Sequence, residues 1–207
     1  MRLILVRHGS THFNEDGIVL GRSDPPLTPT GLAQAQALAR SLRAEPVQAV
    51  YTSPLTRARQ TAQAIAAAFG LEPVLEPGLL ELDVGDFDGL TFEQLRKDHP
   101  QFLERWSRDP GPLVMPGGES LQGLQARAWA AVQTMSQGHP QGTVVAVTHN
   151  FAILGILCQA LGVPLARFRR FKQEVGAKSV LELPGGRAAV LVSMNDRCHL
   201  PQQTPRG

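Results

Sequence analysis

Cysteine, net charge and long apolar runs are all scarce in this chain, and each scarcity removes a class of protein. Only Cys158 and Cys198 occur in 207 residues, without metal-type spacing, which fits a reduced, cytoplasmic setting. A formal net charge of +2 is too small to argue for a nucleic-acid partner. No apolar stretch approaches the roughly 20 residues of a membrane-spanning helix. The N-terminus lacks the basic, apolar and cleavage-site order of a secretory signal, so neither membrane nor export is expected. No internal repeat and no low-complexity block interrupts the chain.

What is there is an alternation of strand and helix signals. Leu3, Ile4, Leu5 and Val6 form an apolar run of strand length. A Gly/Pro-punctuated loop over 15–29 precedes a helix over 31–43, with Leu32, Ala35, Leu38, Ala39 and Leu42 at helical spacing. Residues 47–51 read as a second strand, and Pro54 suits the first turn of a helix that Gly70 stops. A short strand is expected near 73–75. Residues 91–109 look helical, with an irregular polar and aromatic mixture, and 110–118 form a Pro/Gly-rich connection. A helix over 119–137 turns Leu121, Leu124, Ala128, Val132 and Met135 inward. An apolar strand over 143–147 leads to a helix over 151–161. Strands over 179–183 and 188–192 flank Pro184-Gly185-Gly186-Arg187, a hairpin signal. Residues 201–207 read as a disordered tail. Such alternation predicts an α/β layered fold with a mainly parallel sheet.

Ligands of parallel sheets bind beyond the carboxyl ends of the strands. The first strand ends at Arg7-His8-Gly9, the second leads to Arg57, and the strand over 143–147 leads to His149. Two arginines and two histidines thus share one rim. An imidazole nitrogen can attack phosphorus, a guanidinium can hold phosphoryl oxygens, and Gly9 permits close backbone approach or a positive φ. Each residue also has a plain structural reading. His149 suits a helix cap, Arg57 a solvated first turn, and Glu81 with Asp83, Asp86 and Asp88 an acidic, cation-attracting loop. His8 and His12 would pair on a metal only if they shared a helix.

In order, the segments VRHGSTHFN, GRSDPPLTPTGLAQAQAL, TSPLTRARQTAQAIA, LLELDVGDFDGLT, PGGESLQGLQAR and VVAVTHNFAI resemble the histidine phosphatase superfamily, in its phosphoglycerate-mutase-like branch. The resemblance covers roughly the first three-quarters of the chain. It implies one three-layer helix–sheet–helix domain over 1–200, with 91–115 as a helical, lid-like insertion. It implies that His8 is a nucleophile carrying a phosphoryl group, with Arg7, Asn14 and Arg57 binding phosphate and His149 adding a hydrogen bond. Glu81 matches the proton donor, with Asp83 as the neighbour easiest to mistake for it. No metal and no cofactor is implied, and the expected partner is a small-molecule phosphate ester.

The departures from that pattern bear on specificity. Ser10 stands where the family often has Glu or Gln. Arg22 replaces an aromatic and would add charge at the pocket mouth, unless it is a solvated loop residue. The segment after Glu81 resembles phosphatase members, such as α-ribazole phosphatases and broad-specificity phosphatases, rather than mutases. Phe87, Phe102 and Trp106 would wall the pocket or pack the insertion onto the domain. The reading is therefore a metal-independent phosphomonoester hydrolase. A cofactor-dependent phosphoglycerate mutase and an idle phosphoprotein-binding module are the alternatives. The oligomeric state is open, with a dimer as one candidate.

Overall fold

The computed structural model describes residues 1–201. Strands β1 (Arg2–Arg7), β2 (Val47–Thr52), β3 (Val74–Leu75), β4 (Thr143–Thr148), β5 (Lys178–Glu182) and β6 (Val190–Asp196) form one sheet in the order β3-β2-β4-β1-β5-β6. The β3-β2-β4-β1 portion is parallel, and β5 and β6 complete it antiparallel. Helices α1 (His12–Glu15), α2 (Pro29–Ser41), α3 (Thr56–Ala67), α4 (Phe92–Asp98), α5 (Pro100–Arg108), α6 (Leu121–Gly138) and α7 (Asn150–Ala160) complete the order.

Three layers follow from burial of the central strands on both faces. Leu3, Leu5, Val144 and Ala146 point toward α6 and α7, meeting Val132, Met135, Ile153 and Leu157. Ile4, Val6, Val145 and Val147 point the other way, meeting Leu38 and Leu42 of α2 and Ala62 and Ile65 of α3. A strand buried on both faces reads as a continuous apolar run, which is what β1 and β4 display. A third cluster joins Leu95, Trp106 and Met115 of the 91–115 insertion to Leu121 and Leu124 of α6 and Ala152 and Leu154 of α7.

Register decides the site. β1 and β4 pair from Arg2↔Thr143 through Arg7↔Thr148, so the next residues, His8 and His149, leave adjacent strands abreast. β2 pairs with β4 on the other side, and Ser53 donates its N–H to the Val147 carbonyl at 3.0 Å. Gly9 is required where the chain leaves β1. A Cβ there would strike the backbone of Gly31 at the start of α2, and the reverse substitution would strike Ser10.

Several boundaries differ from expectation. α1 is a single turn, closed by a capping box in which Thr11 and Asn14 bond reciprocally, and is too short for periodicity to reveal. α3 starts at Thr56 with Leu55 as N-cap, so Pro54 precedes the helix. β6 lies later than 188–192, because Ser193 through Asp196, polar except for Met194, extend the ladder. Of the expected tail, residues 202–207 lie outside the described residues. Among the described residues no helix is long and apolar enough to cross a membrane.

Candidate active site

His8 is 2% exposed, and its tautomer is set by what faces each nitrogen. Nδ1 lies 2.7 Å from the Gly9 carbonyl, which can only accept, so Nδ1 carries the proton. The lone pair is thereby left on Nε2. Arg57 confirms the polarity by pointing its Nε–H at that atom from 3.3 Å. Burial first, then the charges of Arg57 and Arg7, hold the His8 pKa well below its usual 6.5. The ring is therefore neutral near pH 7.

Arg57 is wholly buried, not a solvated first-turn residue. Its Nη1 donates to the Ser23 carbonyl at 2.7 Å and its Nη2 to that of Gly21 at 2.8 Å. Asp88 holds the same loop from the other side, accepting from the N–H of Gly21 at 3.1 Å and of Ser23 at 2.7 Å. One N–H of each terminal nitrogen is thus committed to the loop, and Nε faces His8. Burial lowers the Arg57 pKa to about 10.

His149 occupies the N-cap position of α7, yet its ring makes no cap bond. Its Nε2 meets Ser53 Oγ at 2.7 Å, while the buried Nδ1 has no partner among the described residues. The two histidine rings stand 5.1 Å apart. Burial and the positive charge of Arg57 keep His149 well below the usual histidine pKa as well.

Glu81 is 4% exposed and held by two backbone donors, Leu82 N–H at 2.8 Å and Phe151 N–H at 3.2 Å. Burial raises its pKa, against the opposing pull of those bonds and of Arg57 and Arg7. A carboxyl so placed suits proton donation. Asp83 instead accepts from Gly85 N–H at 3.0 Å, and Asp88 is occupied by the 21–23 loop, so these two carboxylates serve the backbone.

A cavity of about 580 Å³ opens in front of this cluster, lined by Arg7, His8, Asn14 and Glu81 among others. Arg57 and His149 touch His8 but are not part of the lining. Arg7 donates to the Gln173 carbonyl at 2.6 Å, and its buried Nε has no partner among the described residues. Asn14 Oδ1 accepts from the Thr11 N–H at 3.1 Å, which fixes the amide orientation and leaves the Nδ2 donors for the cavity. Phe102 and Trp106 line the cavity, as do Phe87 and Phe151. Arg22 does not. It turns to Glu119, with Nη2 3.3 Å from Oε1, because Gly21 and Ser23 on either side are pinned by Arg57 and Asp88.

Sequence reasoning assigned no role to Arg127 or Glu119, although both lie in PGGESLQGLQAR. Arg127 donates to the carbonyls of Gly78 at 2.9 Å, Leu80 at 2.7 Å and Glu81 at 2.9 Å. Glu119 receives Arg127 at 2.5 Å and the Asp83 N–H at 3.0 Å. The pair thus grips the irregular segment on both sides of Glu81. Ser53, Asn150 and the Glu174–Arg197 ion pair, 2.9 Å apart, also escaped notice. Among the described residues no three of His, Cys, Asp and Glu gather as a metal site.

The model of the histidine phosphatase superfamily (branch 1) matches residues 3–197, beyond the three-quarters that motifs alone covered. Phosphoserine phosphatase 1 of Hydrogenobacter thermophilus is 34% identical over 200 residues, 97% of this chain and 94% of that protein. The solved structure of Bacillus stearothermophilus YhfR has a TM-score of 0.89 at 28% identity, covering 96% of this chain and 98% of that one. The alpha-ribazole phosphatase of Shigella flexneri has a TM-score of 0.84 at 26% identity, covering 95% and 96%. The chain belongs to the histidine phosphatase superfamily and is a phosphatase enzyme by that membership.

Proposed function

We propose that this member of the histidine phosphatase superfamily is a metal-independent phosphomonoester hydrolase that acts on small phosphorylated metabolites through a phosphohistidine. The observation that carries the reading is the lone pair of His8 Nε2, faced by Arg57 Nε–H in the same site as a buried Glu81. Nε2 attacks phosphorus as the ester oxygen departs, and Glu81 gives that oxygen its proton. Water then attacks the phosphohistidine, Glu81 takes the water's proton, and inorganic phosphate leaves with His8 restored.

The Arg57 N–H that points at the free lone pair points at the phosphoryl group once phosphorus occupies that direction. Arg7 and Asn14 approach from the cavity side, and the buried His149 Nδ1, without a partner among the described residues, is a further group available to the phosphoryl oxygens. Two guanidinium charges meet the phosphoryl oxygens, which is the work a metal performs in other phosphoryl-transfer sites. The free thiols, Cys158 buried and Cys198 exposed, suit action in the cytoplasm.

Hydrolysis of an aryl phosphate in excess EDTA tests the reading, with alkaline denaturing quench to trap label on His8. Turnover in EDTA with an acid-labile, base-stable phosphoenzyme is expected. Loss of activity restored by a divalent ion would overturn metal independence. Interconversion of 3- and 2-phosphoglycerate outpacing hydrolysis would make the chain a mutase, and no turnover of any ester would leave a binding module.

A further inference from the structure

We infer that the alcohol released at this site is bulky and apolar, an alkyl or aryl group with no second charge close to the ester oxygen. The inference rests on the hydrolase reading, since Glu81 marks where the leaving oxygen sits. Phe151 gives its N–H to Glu81 Oε2 at 3.2 Å, so its ring begins beside that oxygen. From there an aromatic chain runs into the insertion. Phe151 meets Trp106 edge-on with centroids 6.2 Å apart, Trp106 stacks with Phe102 at 6.2 Å, and Phe102 meets Phe87 at 4.8 Å. All four rings line the cavity.

The charges in the lining do not offset this wall. Arg7, His8 and Glu81 are committed to the chemistry, and Glu174 and Arg197 neutralise each other at 2.9 Å. Arg96 is the remaining charged residue, exposed on α4. A carboxylate a few bonds from the ester oxygen would therefore meet aromatic faces and Glu81 itself, and Arg96, exposed on α4, would offer it a solvent-screened pairing worth little against that desolvation. Phe92 also lines the cavity while 54% exposed, a large apolar surface that a ligand's hydrocarbon would cover. The cavity volume of about 580 Å³ is that of a site for a drug-sized ligand, far beyond a phosphoryl group alone. On this inference phosphoserine, the substrate in the name of the similar Hydrogenobacter thermophilus phosphatase, would be a poor substrate here.

The test is a homologous series, n-alkyl phosphates from ethyl to octyl, in which the leaving alcohols have matched acidity. Specificity constants should climb about two- to four-fold per methylene until the wall is covered. Octyl phosphate should then outrun phosphoserine and 3-phosphoglycerate on the order of a hundred-fold. Phe92→Ser should flatten the climb. Its exposure and the independent Thr91–Gln94 capping box of α4 keep the fold intact. The matching n-alkylphosphonates, which cannot be hydrolysed, report binding alone and should inhibit more tightly as the chain lengthens. A flat series, or phosphoserine as the better substrate, would overturn the inference and leave the hydrolase standing. Phosphonates that bind tighter with length while no ester is hydrolysed would instead overturn the hydrolase reading.

Discussion

Nucleophile and acid are held in opposite ways. His8 leaves the central strand of a sheet buried on both faces, abreast of His149, so backbone pairing positions it. Glu81 sits in an irregular segment between two short 3₁₀ turns, Pro77–Leu79 and Gly85–Phe87. Its place depends on side chains that reach backbone groups, with Arg127 on three carbonyls and Glu119 on one N–H. A strand end can be disturbed only by disturbing the sheet. The Glu81 segment can be released by one substitution that leaves the sheet alone. The contrast teaches that the two halves of one reaction should differ in how they fail.

The sheet-held half should fail completely. His8→Ala is expected to lose activity by about four to six orders of magnitude, with no label retained on the protein, since nothing else offers a lone pair to phosphorus. Circular dichroism and thermal melting should stay near wild type. A variant turning over within a hundred-fold of wild type would remove His8 from the chemistry. Arg57→Lys comes next, with an expected loss of about 3 kcal/mol in transition-state stabilisation. An ammonium cannot reach Ser23, Gly21 and His8 Nε2 at once, as the guanidinium does. A near-normal kcat/KM for the lysine variant would show that the charge alone suffices.

The same contrast explains what the sequence disclosed. Strand-end residues were legible because each apolar run of β1 and β4 is followed at once by its polar residue, and burial of both faces makes the run unmistakable. That His8 and His149 stand side by side was not legible, since it depends on register between strands distant in the chain. Arg127 was missed because its partners are mainly carbonyls, which no residue type displays. The pocket-mouth expectation for Arg22 rested on its place after the loop glycine, beside the plainer expectation of a solvated loop residue. Its actual direction follows from how Arg57 and Asp88 pin Gly21 and Ser23. The bland reading of Arg57 as solvated fails on burial, and His149, although it is the N-cap residue of α7, turns its ring to Ser53 rather than to a cap bond, which only packing reveals.

The loop-held half should fail selectively. Arg127→Met keeps much of the apolar stem while leaving the carbonyls of Gly78, Leu80 and Glu81 without their donor, so the carboxyl of Glu81 drifts from the leaving oxygen. The expected loss is about ten- to hundred-fold for alkyl phosphates, whose alkoxide needs a proton, and clearly smaller for p-nitrophenyl phosphate. Arg127→Lys should recover part of the difference by satisfying one or two carbonyls. A rate loss equal across leaving groups would mean that Arg127 supports the fold rather than the acid.

The smallest effect expected is on stability, and it isolates Glu81 from its surroundings. The folded protein raises the Glu81 pKa above the ordinary 4.5, chiefly by burial, so the native state binds this proton more tightly than the unfolded chain does. Stability contributed by the protonated group is fully present below pH 4.5 and is lost as pH rises through the raised folded-state value. The Glu81→Gln variant has no such proton to lose. Whatever fixed offset the amide introduces against Leu82 and Phe151 N–H, the melting temperature of that variant relative to wild type should rise with pH across that window, by about 2–4 °C per kcal/mol for a domain of this size. His8 and His149 titrate in both proteins and cancel from the difference. A difference in melting temperature that stays constant between pH 4 and 8 would show that Glu81 ionises as freely in the folded state as in the unfolded one. The loop-held carboxyl would then be no better a proton donor than a solvent-exposed glutamate.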